Sequence, residues 1–172
     1  MATVILLKED ELTKNTILGG NIDVSRYVPA IKDFQKTKLV EILGKTLYDK
    51  ICTDFENDSL SGLYLELYED YVKEMVIHGA AENYLTFGAY MVANNGITKM
   101  RTDNAETVSK NEVDFMVQAS RKLMEHYERQ FNKWIKDNPL PEYPVTVERD
   151  NNVLQVGSWV LRNKNSCCKN GY

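Results

Sequence analysis

His78 and His126 are the two histidines of the chain, and histidine is the side chain best suited to bind a metal or move a proton near neutral pH. Glu82 follows His78 by four residues, a spacing that brings two side chains to one face of a helix. Two ligands do not complete a metal site, and the sequence has no H-E-x-x-H pattern. We therefore expect structural or surface roles for both histidines and no bound metal.

The three cysteines are the second candidates for chemistry. Cys167 and Cys168 are adjacent near the C-terminal end, without further ligands at a suitable spacing. Cys52 falls on the apolar face of a predicted helix, where we expect a small core residue. An odd number of cysteines does not form a disulfide scaffold and fits synthesis in a reducing cytoplasm.

Motifs with spaced glycines would indicate nucleotide binding or hydrolysis. The patterns G-x-x-x-x-G-K-[ST], G-x-G-x-x-G and G-x-S-x-G do not occur in the sequence. We therefore expect a protein that is not an enzyme and that uses no cofactor.

Glu66, Asp70 and Glu74 recur every four residues, so a helix would place them on one face. Two interpretations remain open. The face is either solvated and partly neutralised by Lys73, or it is an acidic, channel-facing surface that DNA passes without lasting contacts, because like charges repel.

The bulk composition fits a single domain of 172 residues that can bury a core. A net charge of -4 argues against a dominant nucleic-acid-binding face, which would be basic. The most apolar window, Met75–Ala93, contains His78, Glu82 and Asn83, so we expect a buried helix there and not a membrane span. The N-terminus lacks the basic region of a signal peptide.

Apolar periodicity predicts an all-α fold, a bundle of about four helices with one long central helix. The predicted organisation is an N-terminal arm (residues 1–22), a helical domain (23–138) and a C-terminal arm (139–172). A proline at position 29 places the first helix start just before it, since proline is tolerated in a first turn. The predicted helices run from Ser25 or Tyr27 to Leu43 before Gly44, from Thr46 to Phe55, from Gly62 to Ala93, and from a Ser109 cap to Asn138.

The C-terminal arm begins with Pro139, Pro141 and Pro144, which force an extended path. Val145–Val147 and Val153–Val160 are strand-like and are separated by a turn at residues 150–152, so a short β-hairpin is one expected form of the arm. The arm either folds back on its own bundle or reaches a neighbouring subunit or partner. Its expected interface residues are apolar: Tyr143, Leu154, Val156, Trp159 and Leu161.

Three segments of the chain form a recognisable combination: Tyr27–Gln35 with Ile42–Tyr48, Gly96–Ser109, and Tyr127–Ile135 with the turn Pro139–Pro144. Together they resemble small helical connector proteins of tailed bacteriophages, the head completion or ring subunits next to the portal. Their order and spacing are most similar to those of ring proteins from Bacteroides and crAss-like phages, over about residues 22–145. The chain departs from the resemblance in its tail beyond Val145.

The resemblance implies a structural virion protein without catalytic activity. Such subunits form a homo-oligomeric ring, typically twelve-fold, that docks on the portal and connects capsid to tail. The ring extends the DNA channel without sequence-specific binding and offers a platform to the next tail or ring protein. The implied place is the virion head–tail junction, after synthesis in the bacterial host cytoplasm and without a membrane. The loop Ile97–Val108 and both termini would make the contacts.

A second function remains open beside the ring subunit. The chain could be a phage-encoded helical binding module that acts on a host protein. A ring subunit should be present in virions beside the portal in stoichiometric amount, whereas a host-directed module should be absent from particles.

Overall fold

Helices make up most of the chain in the computed structural model, which describes residues 4–8, 11–16, 24–87, 90–93, 96–99, 109–144, 153–156 and 159–162. A short helix α1 precedes four longer ones, so the predicted bundle of about four helices is confirmed. The helices are α1 (Glu11–Asn15), α2 (residues 24–43), α3 (Lys45–Glu56), α4 (residues 63–87) and α5 (Lys110–Asp137).

Two of the long helices contain a π-helical turn, in which one extra residue widens the helix. In α2 the α-helical parts Val24–Phe34 and Val40–Leu43 flank the π turn Gln35–Leu39. In α4 the α-helical parts Leu63–Leu67 and Lys73–Phe87 flank the π turn Tyr68–Val72. The apolar pattern did not predict either π turn.

Helix α2 ends where the sequence predicts. Gly44 has φ +75°, a left-handed conformation that glycine adopts without steric cost and that stops the helix. The start differs, because α2 begins at Val24 and Pro29 lies inside the helix and not in its first turn. Pro29 is exposed, so its ring meets solvent, and the helix tolerates the missing N–H donor.

Helix α4 is the central helix, since α1, α2 and α5 all pack against it. The second half of α4 supplies fully buried apolar residues and the small Gly79, against which the Phe34 ring of α2 packs closely. The buried apolar residues of α4 are Leu67, Tyr68, Val72, Met75, Val76, Ile77, Ala80 and Ala81.

The predicted end of the central helix at Ala93 is wrong. The helix ends at Phe87, and β1 (Tyr90–Ala93) pairs antiparallel with β2 (Gly96–Lys99). Asn94 and Asn95 lie between the strands and Gly96 begins β2, and the sequence Asn-Asn-Gly is typical of a tight hairpin turn as well as of a helix stop. Of the predicted contact loop Ile97–Val108, residues 100–108 lie outside the described part.

The first segment of the chain contributes to the same core as the helices. Leu6 and Leu12 are fully buried and Leu7 nearly so, and all three belong to the central apolar cluster. The division of the chain into two arms and a helical domain stays a prediction.

Near the C-terminal end, β3 (Val153–Val156) pairs antiparallel with β4 (Trp159–Arg162). The predicted strand Val153–Val160 is therefore divided in two, and Gly157-Ser158 between the strands is a sequence typical of two-residue hairpin loops. The predicted partner strand Val145–Val147 and the predicted turn at 150–152 lie outside the described residues. Within the described part, no helix is both long and apolar enough to cross a lipid bilayer.

Candidate interaction surfaces

The three carboxylates predicted to share one acidic face have different surroundings in α4. Glu66 accepts a hydrogen bond from the indole N–H of Trp134 at 2.7 Å. Asp70 is exposed, whereas Glu74 is half-buried and its burial raises its pKa. The π turn Tyr68–Val72 separates Glu66 from Glu74 and changes the angle between them about the helix axis. Their channel-facing role stays a prediction.

His78 and Glu82 have separate partners. The His78 ring stacks on Tyr127 with centroids 5.8 Å apart, and its Nε2 lies 3.7 Å from a Glu74 carboxylate oxygen. Burial lowers the pKa of His78. Glu82 instead accepts a hydrogen bond from Arg121 Nε at 2.8 Å. The structure therefore does not direct this histidine and glutamate at one metal position.

The remaining candidates for chemistry show no assembled site. His126 is exposed and lies edge-on to Tyr127. Cys52 is half-buried on α3, and burial raises the pKa of its thiol. Cys167 and Cys168 lie outside the described residues. Among the residues that the structure describes, no group of three or more His, Cys, Asp or Glu side chains could hold a metal ion.

The first half of α5 carries an exposed apolar stripe. None of residues 110–119 is buried, and burial within α5 begins at Ser120. Phe115, Ala119 and Leu123 are four residues apart and share one face of the helix. The side chain of Phe115 is 74% exposed and that of Leu123 is 46% exposed. Apolar groups of this size in water favour contact with another surface.

The stripe borders an open groove of about 730 Å³ between α5, the end of α1 and α4. Met116 and Ala119 form its α5 side, His78 contributes from α4, and Lys14 contributes from α1. The helical periodicity of α5 identified the residues facing its own core but not Phe115 or Leu123. A second, shifted apolar series at positions 115, 119 and 123 was the available sequence signal.

Two other exposed apolar residues, Leu63 and Leu65, lie at the start of α4 and are each about 40% exposed. Because they are two residues apart on a helix, they face different sides of it. Helices α4 and α5 are antiparallel, because Glu66 contacts Trp134 and Glu82 contacts Arg121. The start of α4 therefore lies at the opposite end of the helix pair from Phe115, along a helix about 36 Å long.

Tyr143, one of the predicted interface residues, packs within its own chain. Its ring meets Phe131 edge-on at 5.5 Å, and burial raises its pKa. The neighbouring Glu142 accepts a hydrogen bond from the Tyr64 hydroxyl at 2.6 Å, which raises the pKa of Tyr64 to about 12. The ring contact, the hydrogen bond and the burial of Leu140 thus attach residues 140–143 to the bundle.

The other predicted interface residues lie in β3 and β4. Leu154 pairs with Leu161, and Val156 pairs with Trp159. Directly opposite residues, and residues two apart on a strand, share a face of the ladder. These four residues therefore occupy one face of the hairpin by register, and their contact with a partner stays a prediction.

A site that the sequence did not predict holds the first segment of the chain. Gln35 is fully buried, accepts a hydrogen bond from the Leu6 N–H and donates one to the Val4 carbonyl, both at 3.1 Å. Its amide also lies 3.5 Å from the Tyr48 hydroxyl, and the Tyr68 hydroxyl donates to the Leu6 carbonyl at 3.3 Å. We call Gln35, Tyr48 and Tyr68 the arm cradle. A glutamine in the apolar series 27, 31, 35, 39 and 43 was the sequence signal for it.

One comparison with known proteins gives a match. A family model described as a family of unknown function (DUF6712) matches residues 39–152, about two thirds of the chain. No curated protein and no solved structure is significantly similar to the chain. The matched region contains α3, α4 and α5 in full, whereas the N-terminal arm and most of α2 precede it.

Proposed function

This chain belongs to the family of unknown function DUF6712, and because that membership assigns no activity, we propose from its surfaces and from the connector resemblance that it is a structural ring subunit. In this proposal many copies form a closed ring at the portal of a tailed phage, which connects the capsid to the tail and extends the DNA channel. The subunit performs no catalysis, and it is made in the host cytoplasm before it joins the virion.

The exposed apolar stripe of α5 is the observation that carries the proposal. Phe115, Ala119 and Leu123 are exposed on the first part of α5, beside an open groove, and none of the core residues that the structure describes covers them. Phe115 is the strongest candidate among them, because aromatic side chains bury a large apolar area and contribute much of the free energy of protein interfaces. An assembly of copies would remove this surface from water.

Ring closure needs a head-to-tail interface, in which two different patches of the same chain meet on neighbouring copies. The chain has exposed apolar residues at both ends of the α4–α5 pair, the stripe at Phe115 at one end and the single side chains of Leu63 and Leu65 at the other. This arrangement supports a heterologous contact better than a two-fold contact, which would need only one self-complementary patch.

The C-terminal arm would make the contact with the portal or the next tail protein. Its hairpin brings Leu154, Val156, Trp159 and Leu161 to one face by register. A two-stranded hairpin alone is only marginally stable in water, so a partner surface would stabilise it. DNA would pass along acidic residues such as Asp70 without sequence-specific binding.

Exchanging both large residues of the stripe for serine tests the proposal. The double variant Phe115→Ser with Leu123→Ser should weaken self-association tenfold or more, because each removed contact of an interface centre costs about 1–2 kcal/mol. Light scattering coupled to size exclusion, over a range of protein concentrations, gives the mass against the 19.8 kDa subunit. Gln118→Ser, on the other flank of the same exposed helix, is the matched control and should assemble as the unmodified chain does.

The composition of purified virions distinguishes the two proposed functions, a ring subunit and a host-directed binding module. Electron microscopy of particles should show a ring of this chain on the tail side of the portal, in stoichiometric amount. A chain that is absent from virions, or whose association is the same with and without the stripe, contradicts the proposed function.

A further inference from the structure

The arm cradle binds the main chain of the N-terminal arm and not only its side chains. The Gln35 amide uses its oxygen on the Leu6 N–H and its nitrogen on the Val4 carbonyl, and Tyr68 holds the Leu6 carbonyl. Hydrogen bonding to the backbone groups of a segment is also the mode by which proteins bind peptides at a strand edge. Here buried side chains provide the hydrogen bonds that a strand would provide.

The two π turns coincide with the cradle. Gln35 is the first residue of the π turn in α2, and Tyr68 is the first residue of the π turn in α4. Both residues contact Leu6. Single π turns inside α-helices are rare and concentrate at functional sites. Two of them directed at one backbone segment indicate a binding site for that segment.

The first segment of the chain is bound by apolar contacts as well as by backbone hydrogen bonds. Leu6, Leu7 and Leu12 fill the apolar core, while the backbone of Lys8 is fastened by Glu11 within the arm itself. The contacts of Val4 to Leu7 with the cradle would be the same whether the segment came from its own chain or from another copy. Exchange of an identical element therefore costs little free energy.

The length of the sequence that joins the arm to the bundle permits such an exchange. Residues 17–23 read Ile-Leu-Gly-Gly-Asn-Ile-Asp. The eight steps from Thr16 to Val24 can span at most about 28 Å, which exceeds the separation of about 8–10 Å between the axes of packed helices.

We infer that the arm cradle of one copy binds residues 4–7 of a neighbouring copy, so that N-terminal arms, each with its helix α1, are exchanged around the assembly. The inference rests on the proposed function in taking the neighbour to be the next subunit of a homo-oligomer. It adds a second link between subunits. Because Lys14 of α1 belongs to the exchanged arm, the α1 side of the groove beside the stripe would then also come from the neighbouring copy.

Photo-crosslinking of the full chain tests the exchange. The photoreactive residue p-benzoylphenylalanine replaces Ile5, which is half-buried next to the cradle, in unlabelled and in ¹⁵N-labelled protein. The two proteins are mixed in denaturant, refolded together, irradiated and digested, and mass spectrometry identifies crosslinks between the arm and α2, α3 or α4. Random exchange makes about half of these crosslinks isotopically mixed.

Each outcome decides the inference. Mixed crosslinks at about half of the total support it, and they should disappear when refolding takes place at a concentration too low for assembly. Unmixed crosslinks, in a monomer or in a ring, overturn it and show an arm bound only within its own chain. A ring with unmixed crosslinks leaves the proposed function standing, whereas mixed crosslinks in an assembly that is absent from virions support the exchange alone.

Two further variants keep the test independent of one substitution. If the Ile5 variant does not fold, the photoreactive residue is placed at Val4, which is also half-buried. Gln35→Leu removes the hydrogen bonds to the arm and should reduce the yield of arm crosslinks several-fold, while Gln118→Leu on the exposed face of α5 should not change it. Equal yields in these two variants would contradict binding by the cradle.

Discussion

At the scale of single residues, polar side chains form hydrogen bonds between elements that are distant in the sequence. The Trp134 indole donates to Glu66, the Tyr64 hydroxyl to Glu142, and Gln35 binds the backbone of the arm. A buried donor without a partner costs about 1–3 kcal/mol, so these pairs help to specify which elements meet. Residue type alone does not reveal such pairs, because each partner lies more than 25 residues away.

Stability should depend on pH through His78. Burial lowers the pKa of this histidine below its ordinary value of 6.5, so the unfolded chain binds the proton at a higher pH than the folded chain. The free energy of unfolding therefore contains the full contribution of the neutral His78 ring above about pH 6.5. That contribution is lost as the pH falls toward the lowered pKa. Glu74 acts in the opposite direction, because its raised pKa makes folding relatively more favourable as the pH falls through that value.

Replacing His78 with phenylalanine isolates the histidine, since the ring can still stack on Tyr127. The urea midpoint of the unmodified chain should fall further between about pH 7.5 and about pH 5.5 than that of His78→Phe. His126→Phe changes the exposed histidine and should keep the pH dependence of the unmodified chain. An identical pH dependence in the unmodified chain and in His78→Phe would contradict this account.

At the scale of elements, the sequence predicted what local physics determines. Gly44 ends α2 with φ +75°, and Ser109 and Glu112 form the reciprocal capping box that starts α5. Apolar periodicity located all four long helices. These features depend on a few neighbouring residues, so their pattern is complete within a short window.

The remaining elements depend on contacts that no short window contains. The chain forms strands after the end of α4 at Phe87, although its local sequence has a similar propensity to continue the helix. The two π turns place Gln35 and Tyr68 against Leu6, a segment about 29 and 62 residues away. The stripe at Phe115 was missed because the periodicity of α5 reports the face that packs on its own chain.

The close packing of Gly79 in α4 against Phe34 in α2 predicts a destabilising substitution. A Cβ atom at Gly79 of α4 would lie 2.1 Å from the Phe34 ring of α2. Gly79→Ala should therefore lower the free energy of unfolding by about 1–3 kcal/mol, although alanine is the better helix former by about 1 kcal/mol. Urea denaturation measures the change.

A double-mutant cycle identifies the clash as the cause. In a Phe34→Leu background, which removes the ring, Gly79→Ala should cost less than in the unmodified chain, with a coupling of at least 0.5 kcal/mol. Strictly additive effects would mean that the two helices can separate without loss, contrary to the packing described.

At the scale of the whole molecule, both ends of the helical bundle meet on the first turns of α4. Tyr64 holds Glu142 of the C-terminal segment, and Tyr68, one helical turn later, holds Leu6 of the N-terminal arm. The Tyr68 ring also packs against Phe55 of α3, with centroids 5.2 Å apart. The N-terminal arm and the C-terminal segment are therefore bound side by side on the first turns of α4.

The fastened C-terminal segment predicts different results for two truncations. Residues 1–144 keep buried Leu140, keep Tyr143 against Phe131, and keep Pro144 beside Gly44, so this variant should unfold cooperatively at nearly the midpoint of the full chain. Residues 1–138 lose these contacts, and we expect a loss of about 2–5 kcal/mol, comparable to emptying one large core position. Urea denaturation followed by circular dichroism compares the three chains. Equal stabilities of the two truncated chains would show that residues 139–144 belong to the arm and not to the folded bundle, whereas a large difference would place the end of the bundle at Pro144.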